Sequence, residues 1–414
     1  MVACHDCGHV LHLAAVPVGS KAVCNWCGAT IFRNVPNSVE RALALYVGAA
    51  CLFPIAVFFP FLTMQRQGLH STTNLIGGAW ALYEGGVWPT ALIVFLVGTL
   101  APLIKIVGML WILVPLYRGT ASPSMGRIFR RVEKLHAWSM MEVYLLAIGV
   151  TYVKLAGLAT VLPGPASYAF VALILLMIAA DANLDPRTIW DRLQPQAGPE
   201  VLDEQPGTRL AACEECAQLQ RVPIDAHEVT CVRCGEEIHR RKPDSLTRTA
   251  ALTLTACILY IPANALPVMA MYILGSGEPD TILSGVELLV QLGDWPIALL
   301  IFFASITVPA LKLIGLVFLM TSVKKKSVWR PRDRTLIYRI VEGVGRWSMV
   351  DVFVVALLSA LVQLGFIASV IPGAGVIAFA LVVVITIFAS LSFDPRLIWD
   401  VVAERTVGPR HLRV

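Results

Sequence analysis

Charge is scarce in this chain. Only 15% of its 414 residues are Asp, Glu, Lys or Arg, 57% are apolar, and the mean hydropathy is +0.71. That balance excludes an ordinary soluble protein and places the chain in a membrane. No Gly-x4-Gly-Lys-Ser/Thr phosphate loop occurs, so ATP hydrolysis at a Walker site is excluded. The histidines (His5, His9, His12, His70, His136, His227, His239, His411) avoid the apolar interior, with His136 only at an edge, which disfavours a membrane cytochrome. No βαβ pattern surrounds the Cys pairs, so a thioredoxin-like redox reading is weak. No cleavable leader is expected before the first Cys pair, and Met1 to Phe32 are expected to form a folded cytoplasmic module. The net charge of +5 resides in a few basic loops, and nucleic-acid binding is not expected.

What the chain does contain, it contains twice. Cys4, Cys7, Cys24 and Cys27 recur about 208 positions later as Cys213, Cys216, Cys231 and Cys234. Trp88-Pro89 returns as Trp295-Pro296, Lys105 after Pro102 as Lys312 after Pro309, and Trp138-Ser139-Met140 as Trp347-Ser348-Met349. Asp185-Pro186-Arg187 returns as Asp394-Pro395-Arg396. So many uncommon residues in one order indicate gene duplication.

Apolar stretches long enough to cross a hydrocarbon core of ~30 Å lie at about 41–65, 87–117, 136–161 and 164–183. They recur at about 246–274, 295–322, 345–371 and 373–393. The expected fold is an all-α polytopic membrane protein with two tandem parallel repeats of four transmembrane helices, each preceded by a small cytoplasmic zinc ribbon. The expected division is ribbon one at 1–35, membrane domain one at 36–190, a linker at 191–207, ribbon two at 208–242, membrane domain two at 243–400 and a tail at 401–414. Basic loops carrying Arg118, Arg127, Arg130, Arg131 and Lys134, and Lys324, Lys325, Lys326, Arg330, Arg332 and Arg334, are expected on the cytoplasmic side together with both termini. The longest acidic segment of the opposite face, Thr281 to Glu287, is expected to be a loop that touches a periplasmic partner or lies on the bilayer.

Cys-x2-Cys pairs separated by sixteen residues in the first set and fourteen in the second have the spacing of zinc ribbons. Gly8, Gly28 and Gly235 follow the knuckles and allow the sharp turn each requires. Two zinc ions per chain are expected, with a rubredoxin-like iron centre as the alternative. A closed four-thiolate site points to a structural role. Cys51 and Cys257 lie alone in spans and are read as packing.

Ionisable residues within spans are costly, so each is paired or functional. Lys105 lies seventeen residues past Trp88, roughly 26 Å along a helix, and a pair with Glu142 between spans two and three is geometrically reasonable. The second repeat offers Lys312, Asp351, Ser348, Thr386 and Ser390 as one polar cluster. A structural ion pair and a transport site are both open readings of it. Lys154 and Asp181 correspond to Gln363 and Ser390, and Asn264 has an apolar counterpart, so the halves are not interchangeable. Pro262 in Ile261-Pro262-Ala263-Asn264 is expected to interrupt the fifth span, and Pro54 and Pro60 the first.

Twin ribbons before four spans each, with Gly-Arg-Trp-Ser-Met-Val-Asp-Val at 345–352, Tyr-Ile-Pro-Ala-Asn at 260–264 and Phe-Asp-Pro-Arg-Leu at 393–397, resemble the paraquat-inducible protein A family. The resemblance covers nearly the whole chain. It implies a Gram-negative inner-membrane protein that is not an enzyme and that partners a periplasmic protein of the mammalian cell entry (MCE) type. Such a subunit would load membrane lipid, expected to be phospholipid, into a periplasmic tunnel or receive it from one, in support of envelope integrity. The first repeat departs from the pattern, with Ala137-Trp138-Ser139 in place of Arg346-Trp347-Ser348. The alternatives are a quinone-linked thiol oxidoreductase and a membrane scaffold that only anchors the partner.

Overall fold

The computed structural model describes the chain except residues 1, 13–15, 67–68, 123, 137, 157–159, 195–206, 224–228, 274–275, 292, 364–367 and 407–414. His227, His411, Ala137, most of the expected linker and most of the expected tail lie outside the described residues.

Among the described residues, seven helices are long and apolar enough to cross a membrane. In the first unit α1 is Ser38–Phe58, α2 the short Gly77–Glu84, α3 Trp88–Arg118, α4 Met125–His136, α5 Met141–Ala156, α6 Pro165–Asn183 and α7 Pro186–Leu193. In the second, α8 is Ser245–Ala265, α9 Ile282–Gln291, α10 Trp295–Lys324, α11 Pro331–Val344, α12 Val350–Leu361, α13 Gly375–Ser392 and α14 Arg396–Thr406. The seven are α1, α3, α6, α8, α10, the α11–α12 run and Gly375–Val402, whereas α5 falls short. The basic loops expected between spans two and three and between spans six and seven are partly helical, as α4 and α11.

First and last helices of each unit form its tightest pair, α1 with α6 and α8 with α13. On α1 the buried stripe is Ala42, Tyr46, Ala49, Phe53 and Ala56, and on α8 it includes Thr249, Thr253 and Ala256. Small side chains repeated on one face let helix backbones approach closely where lipid offers no hydrophobic drive. Between the units α5 and α12 lie together, and the equivalent residues Tyr144 and Phe353 meet edge to face with centroids 4.9 Å apart. Helix α2 packs on α12 across this seam, with Gly78 against Ala356. Apolar side chains elsewhere face outward, Leu92, Val107, Trp111, Leu299 and Ile314 among them.

Two departures from an all-helical reading come from proline. The chain carries helix through Pro54 and Pro262 and stops instead at Phe58 and Ala265. The residues before Pro60 and Pro267, Phe59 and Leu266, are extended, the conformation that a following proline ring enforces. Beyond each of these prolines the chain forms sheet where span was expected. In unit one, strands β5 (Leu62–Arg66), β6 (Leu69–Thr73) and β7 (Thr160–Pro163) form an antiparallel sheet in the order β6-β5-β7, with Leu62 opposite both Thr73 and Pro163. In unit two, β10 (Met269–Ile273), β11 (Ser276–Asp280) and β12 (Ala368–Pro372) repeat it as β11-β10-β12. The second departure is a π-helical turn at Leu96–Leu100 and again at Phe303–Thr307. Each precedes Pro102 or Pro309, whose missing N–H breaks the regular ladder.

Thr281 to Glu287 is not a loop but the start of α9. The Thr281 hydroxyl accepts from the Ser284 N–H at 3.2 Å, and Ile282 is buried while Leu283 is exposed.

The ribbons are small antiparallel ladders, β1 (Val2–Ala3) with β2 (Val10–Leu11) and β3 (Lys21–Val23) with β4 (Thr30–Arg33) in the first, and β8 (Thr208–Ala212) with β9 (Leu219–Pro223) in the second. Asp185 caps α7 by accepting from Arg187 N at 2.9 Å, and Asp394 accepts from Arg396 N at 3.0 Å with proline between, which explains both Asp-Pro-Arg triplets. The same carboxylates accept from Arg33 N and Lys242 N, tying each ribbon's exit to its own unit.

Candidate functional site

Cys4, Cys7, Cys24 and Cys27 gather with all four Sγ atoms within 4.8 Å of one another, and so do Cys213, Cys216, Cys231 and Cys234. Closest separations are 3.4 Å for Cys4–Cys27 and 3.7 Å for Cys7–Cys24, then 3.4 Å for Cys213–Cys234 and 3.5 Å for Cys216–Cys231. Thiolates at ~2.3 Å from a tetrahedral ion stand about 3.8 Å apart, so both sets fit a metal. Each Cys-x2-Cys closes a tight turn through a backbone bond to the residue after the second cysteine. Gly8, Gly28 and Gly235 have φ of 70°, 75° and 70°, and Ala217 takes the same left-handed place with φ 55°. Proton sharing with Cys27 raises the Cys4 thiol to about 12 and lowers Cys27. Four such sulfurs become thiolates together only beside a cation, so metal binding expels protons.

Each ribbon sits on the other repeat's unit. Ribbon one lies against α11 and α14, where Arg339 donates to Asp6 at 2.6 Å and to the Cys27 carbonyl at 3.2 Å. Arg332 donates to the Trp26 and Asn25 carbonyls at 2.6 and 2.8 Å, and Trp26 meets Trp399 edge on. Ribbon two lies against α4 and α7. There Arg130, the counterpart of Arg339, donates to the Cys234 carbonyl at 3.2 Å and pairs with Glu236 at 2.6 Å. Arg233 pairs with Asp191 at 2.6 Å and lies over Trp190, and Lys134 reaches Glu215 at 3.0 Å.

Within the bundle the two repeats treat one lysine differently. Lys105 is buried and donates to Asp181 at 2.6 Å, and Asp181 also accepts from the Tyr46 hydroxyl at 2.8 Å. Glu142, expected as the partner, is exposed on α5. Helix α3 turns Lys105 toward the α1–α6 pair, so the last span supplies the carboxylate. Lys312 is 3% exposed, and among the described residues no carboxylate lies within ion-pair distance of it. Its hydrogen bond is to the Thr386 hydroxyl at 3.3 Å. A methyl at Gly345 would collide with Lys312 Nζ, so the Gly345–Met349 turn between α11 and α12 is pressed against the ammonium.

Ser348 lies on that turn, which packs on α10 and α13, and its buried hydroxyl has no partner among the described residues. Asp351 is buried one turn further and lines a 40 Å³ cavity with Thr281, Ile301 and Val354. Ser390, buried a turn beyond Thr386, returns its hydroxyl to the Ile387 carbonyl at 2.9 Å. Asn264 stands apart, its amide donating to the Tyr260 carbonyl at 2.8 Å near the far end of α8. Cys51 is exposed on α1 rather than packed inside. Tyr46, Arg339 and Ala217 were not expected to matter, and Arg130 was expected only as a charge of a basic loop, not as a contact of ribbon two. Arg130 and Arg339 were findable, since they stand at the same repeat position.

These features define a duplicated polytopic membrane protein with two four-cysteine centres outside the bundle and a buried lysine within each half. The family model for Paraquat-inducible protein A matches residues 39–194 and 246–403, and the chain belongs to that family. It is 34% identical over 406 residues to the Intermembrane transport protein PqiA of Escherichia coli (strain K12), covering 96% of this chain and 95% of that one. It is 30% identical over 399 residues to the Lipophilic envelope-spanning tunnel protein A of the same strain, covering 96% and 90%. A Probable intermembrane transport protein of Haemophilus influenzae is 27% identical over 402 residues, covering 96% and 95%. No solved structure matches.

Proposed function

We propose that this protein is the inner-membrane subunit of an MCE-type intermembrane lipid transport system, exchanging phospholipid with a periplasmic tunnel partner, and that it is not an enzyme. On this reading each unit crosses the membrane four times, within bounds near 36–190 and 243–400. The termini and ribbons face the cytoplasm, the two sheets face the periplasm, and both cysteine sets hold zinc. Support for the transport role comes from the relatives' names, which are those of transport and tunnel proteins.

The observation that carries the site is the burial of Lys312, which among the described residues bonds to a hydroxyl and to no carboxylate, where its counterpart Lys105 has a carboxylate. A buried ammonium without an ion-pair partner is costly, and such a cost inside a membrane marks function. Lys312, Thr386, Ser348 and Asp351 form the working polar site, with Ser390 lining it. Lys105 and Asp181 brace the other unit, and Glu142 and Asn264 lie off the site. Changing the protonation of Lys312 or Asp351 rearranges the Gly345–Met349 turn and the helices it joins, a step that a scaffold lacks.

The test is Lys312→Ala and Asp351→Asn in cells lacking the native copy. Both variants are expected to accumulate normally, to keep the periplasmic partner on co-purification, and to lose envelope lipid trafficking. Full trafficking by both would leave the cluster structural and favour the scaffold. Loss of trafficking on replacing Cys24 or Cys231 at unchanged abundance and metal content would favour the thiol oxidoreductase.

A further inference from the structure

Between the two ribbons and unit two lies a cavity of about 230 Å³, bounded by the knuckles of both ribbons, the turn before α14, and Tyr338 and Glu342 of α11. Glu342 is exposed to it. Residues three apart on a helix share a face, so Glu342 lies one turn from Gly345, whose Cα carries Lys312 Nζ against it. Lys312 itself is sealed from solvent. The remaining charged groups around the cavity are His5 and Asp6 of ribbon one, Glu214 and Lys242 of ribbon two, and Asp394 with Arg396. Of these, Arg396 pairs with both Asp394 and Glu214, and Asp6 with Arg339. Glu342 is placed on the Lys312 side of the cavity by its position one turn before Gly345.

We infer that this cavity is the water and proton entrance to Lys312, and that Glu342 carries the proton between them. The inference rests on the transport reading of Lys312. In the outward direction, movement of the Gly345 turn brings Lys312 and Glu342 together, and the Lys312 ammonium then gives its proton to the Glu342 carboxylate, leaving an amine and a carboxylic acid. The acid then releases the proton to water in the cavity and becomes a carboxylate again. The reverse sequence recharges the lysine. Unit one needs no such path, because Asp181 holds the proton on Lys105.

The experiment compares Glu342→Gln, Glu342→Asp and Lys312→Ala in the full-length protein, with Glu133→Gln at the equivalent position of unit one as control. Glu342→Gln is expected to lower lipid trafficking at least about tenfold, since a positioned proton carrier contributes on the order of a hundredfold. Glu342→Asp should retain most of the activity, and Glu133→Gln should match the parent. Glu342→Ala supplied with formate, which fits the cavity, should recover in proportion to formate concentration. A merely structural glutamate would show no such rescue. Should a variant accumulate poorly, activity is compared per molecule in membrane vesicles. Full activity of Glu342→Gln beside a dead Lys312→Ala overturns the entrance but leaves the lysine site standing. Full activity of Lys312→Ala removes the site itself and the entrance with it. Loss in Glu342→Ala without formate rescue also overturns the proton role.

Discussion

The two membrane units repeat one plan, yet they handle its buried lysine in opposite ways. In unit one, Lys105 is held by Asp181, which Tyr46 also grips, and the three residues join helices α1, α3 and α6. In unit two the positions of Asp181 and Tyr46 belong to Ser390 and Thr253, and among the described residues Lys312 bonds to a hydroxyl and lies against a glycine turn. Partner removal at a buried ion pair costs roughly 3–5 kcal/mol, so an unpaired copy persists only where it is used or where the charge can leave. On the proposed reading the duplicated pair divided its roles, one copy as a brace and the other as a group that changes charge. The ribbons deepen the contrast, because unit two is gripped by the ribbon that begins the chain.

Breaking a ribbon should break the comparison most. Structural zinc contributes on the order of 10 kcal/mol to a small domain, so Cys24→Ser should unfold ribbon one outright, lower abundance and halve the bound zinc. Because Arg339, Arg332 and Trp399 contact that ribbon, damage should appear in unit two. Limited proteolysis is expected to open the chain near Ser327 to Arg330. Cys231→Ser should instead expose the chain before Met125, since ribbon two rests on α4 and α7. Cleavage confined to each ribbon's own unit would contradict the exchange. Elemental analysis showing iron, or no metal in carefully prepared protein, would overturn zinc.

A smaller change tests the lysines directly. Asp181→Asn leaves Lys105 buried without its carboxylate and should destabilise the protein by about 3 kcal/mol, read as a lowered melting temperature in detergent. Ser390→Asp places the same carboxylate in unit two, where repeat symmetry brings it to Lys312. It should raise the melting temperature while ending trafficking, because a paired lysine no longer releases its proton. If Ser390→Asp stays active, the missing carboxylate is not what separates the units.

Much of this was legible in the residues, for identifiable reasons. Cysteine spacing fixes which four thiols meet, since a tight turn follows each pair, and long apolar runs locate the spans. Lys312 and Thr386 were legible as neighbours because both face inward on helices of the same unit. The small sheets were not, since β5 and β10 continue the apolar runs of the preceding helices and only Pro60 and Pro267 mark the change. The partner of Lys105 was misassigned because Glu142 and Asp181 both lie in helices, and sequence does not reveal which face of α5 looks outward. The crossing of the ribbons depends on contacts between residues about 100 to 330 positions apart, which no local pattern encodes.

The smallest expected effect compares one knuckle with its three equivalents. Ala217 occupies the left-handed position that Gly8, Gly28 and Gly235 fill elsewhere, at φ 55°. A left-handed conformation costs a residue with a Cβ about 1–2 kcal/mol relative to glycine, but the more flexible glycine also loses more entropy on folding. The two effects oppose, so Ala217→Gly should stabilise ribbon two by no more than about 1 kcal/mol. That corresponds to a fewfold slower loss of metal from the Cys213 set under a chelator, with the Cys4 set unchanged. Gly8→Ala imposes the same strain on ribbon one and should speed metal loss there by a similar factor. The pair thereby separates backbone strain from ligand identity, which is the same in both ribbons. If Ala217→Gly instead hastens metal loss, the alanine methyl contributes packing along the cavity wall that outweighs its strain, and the two ribbons differ in more than their turns.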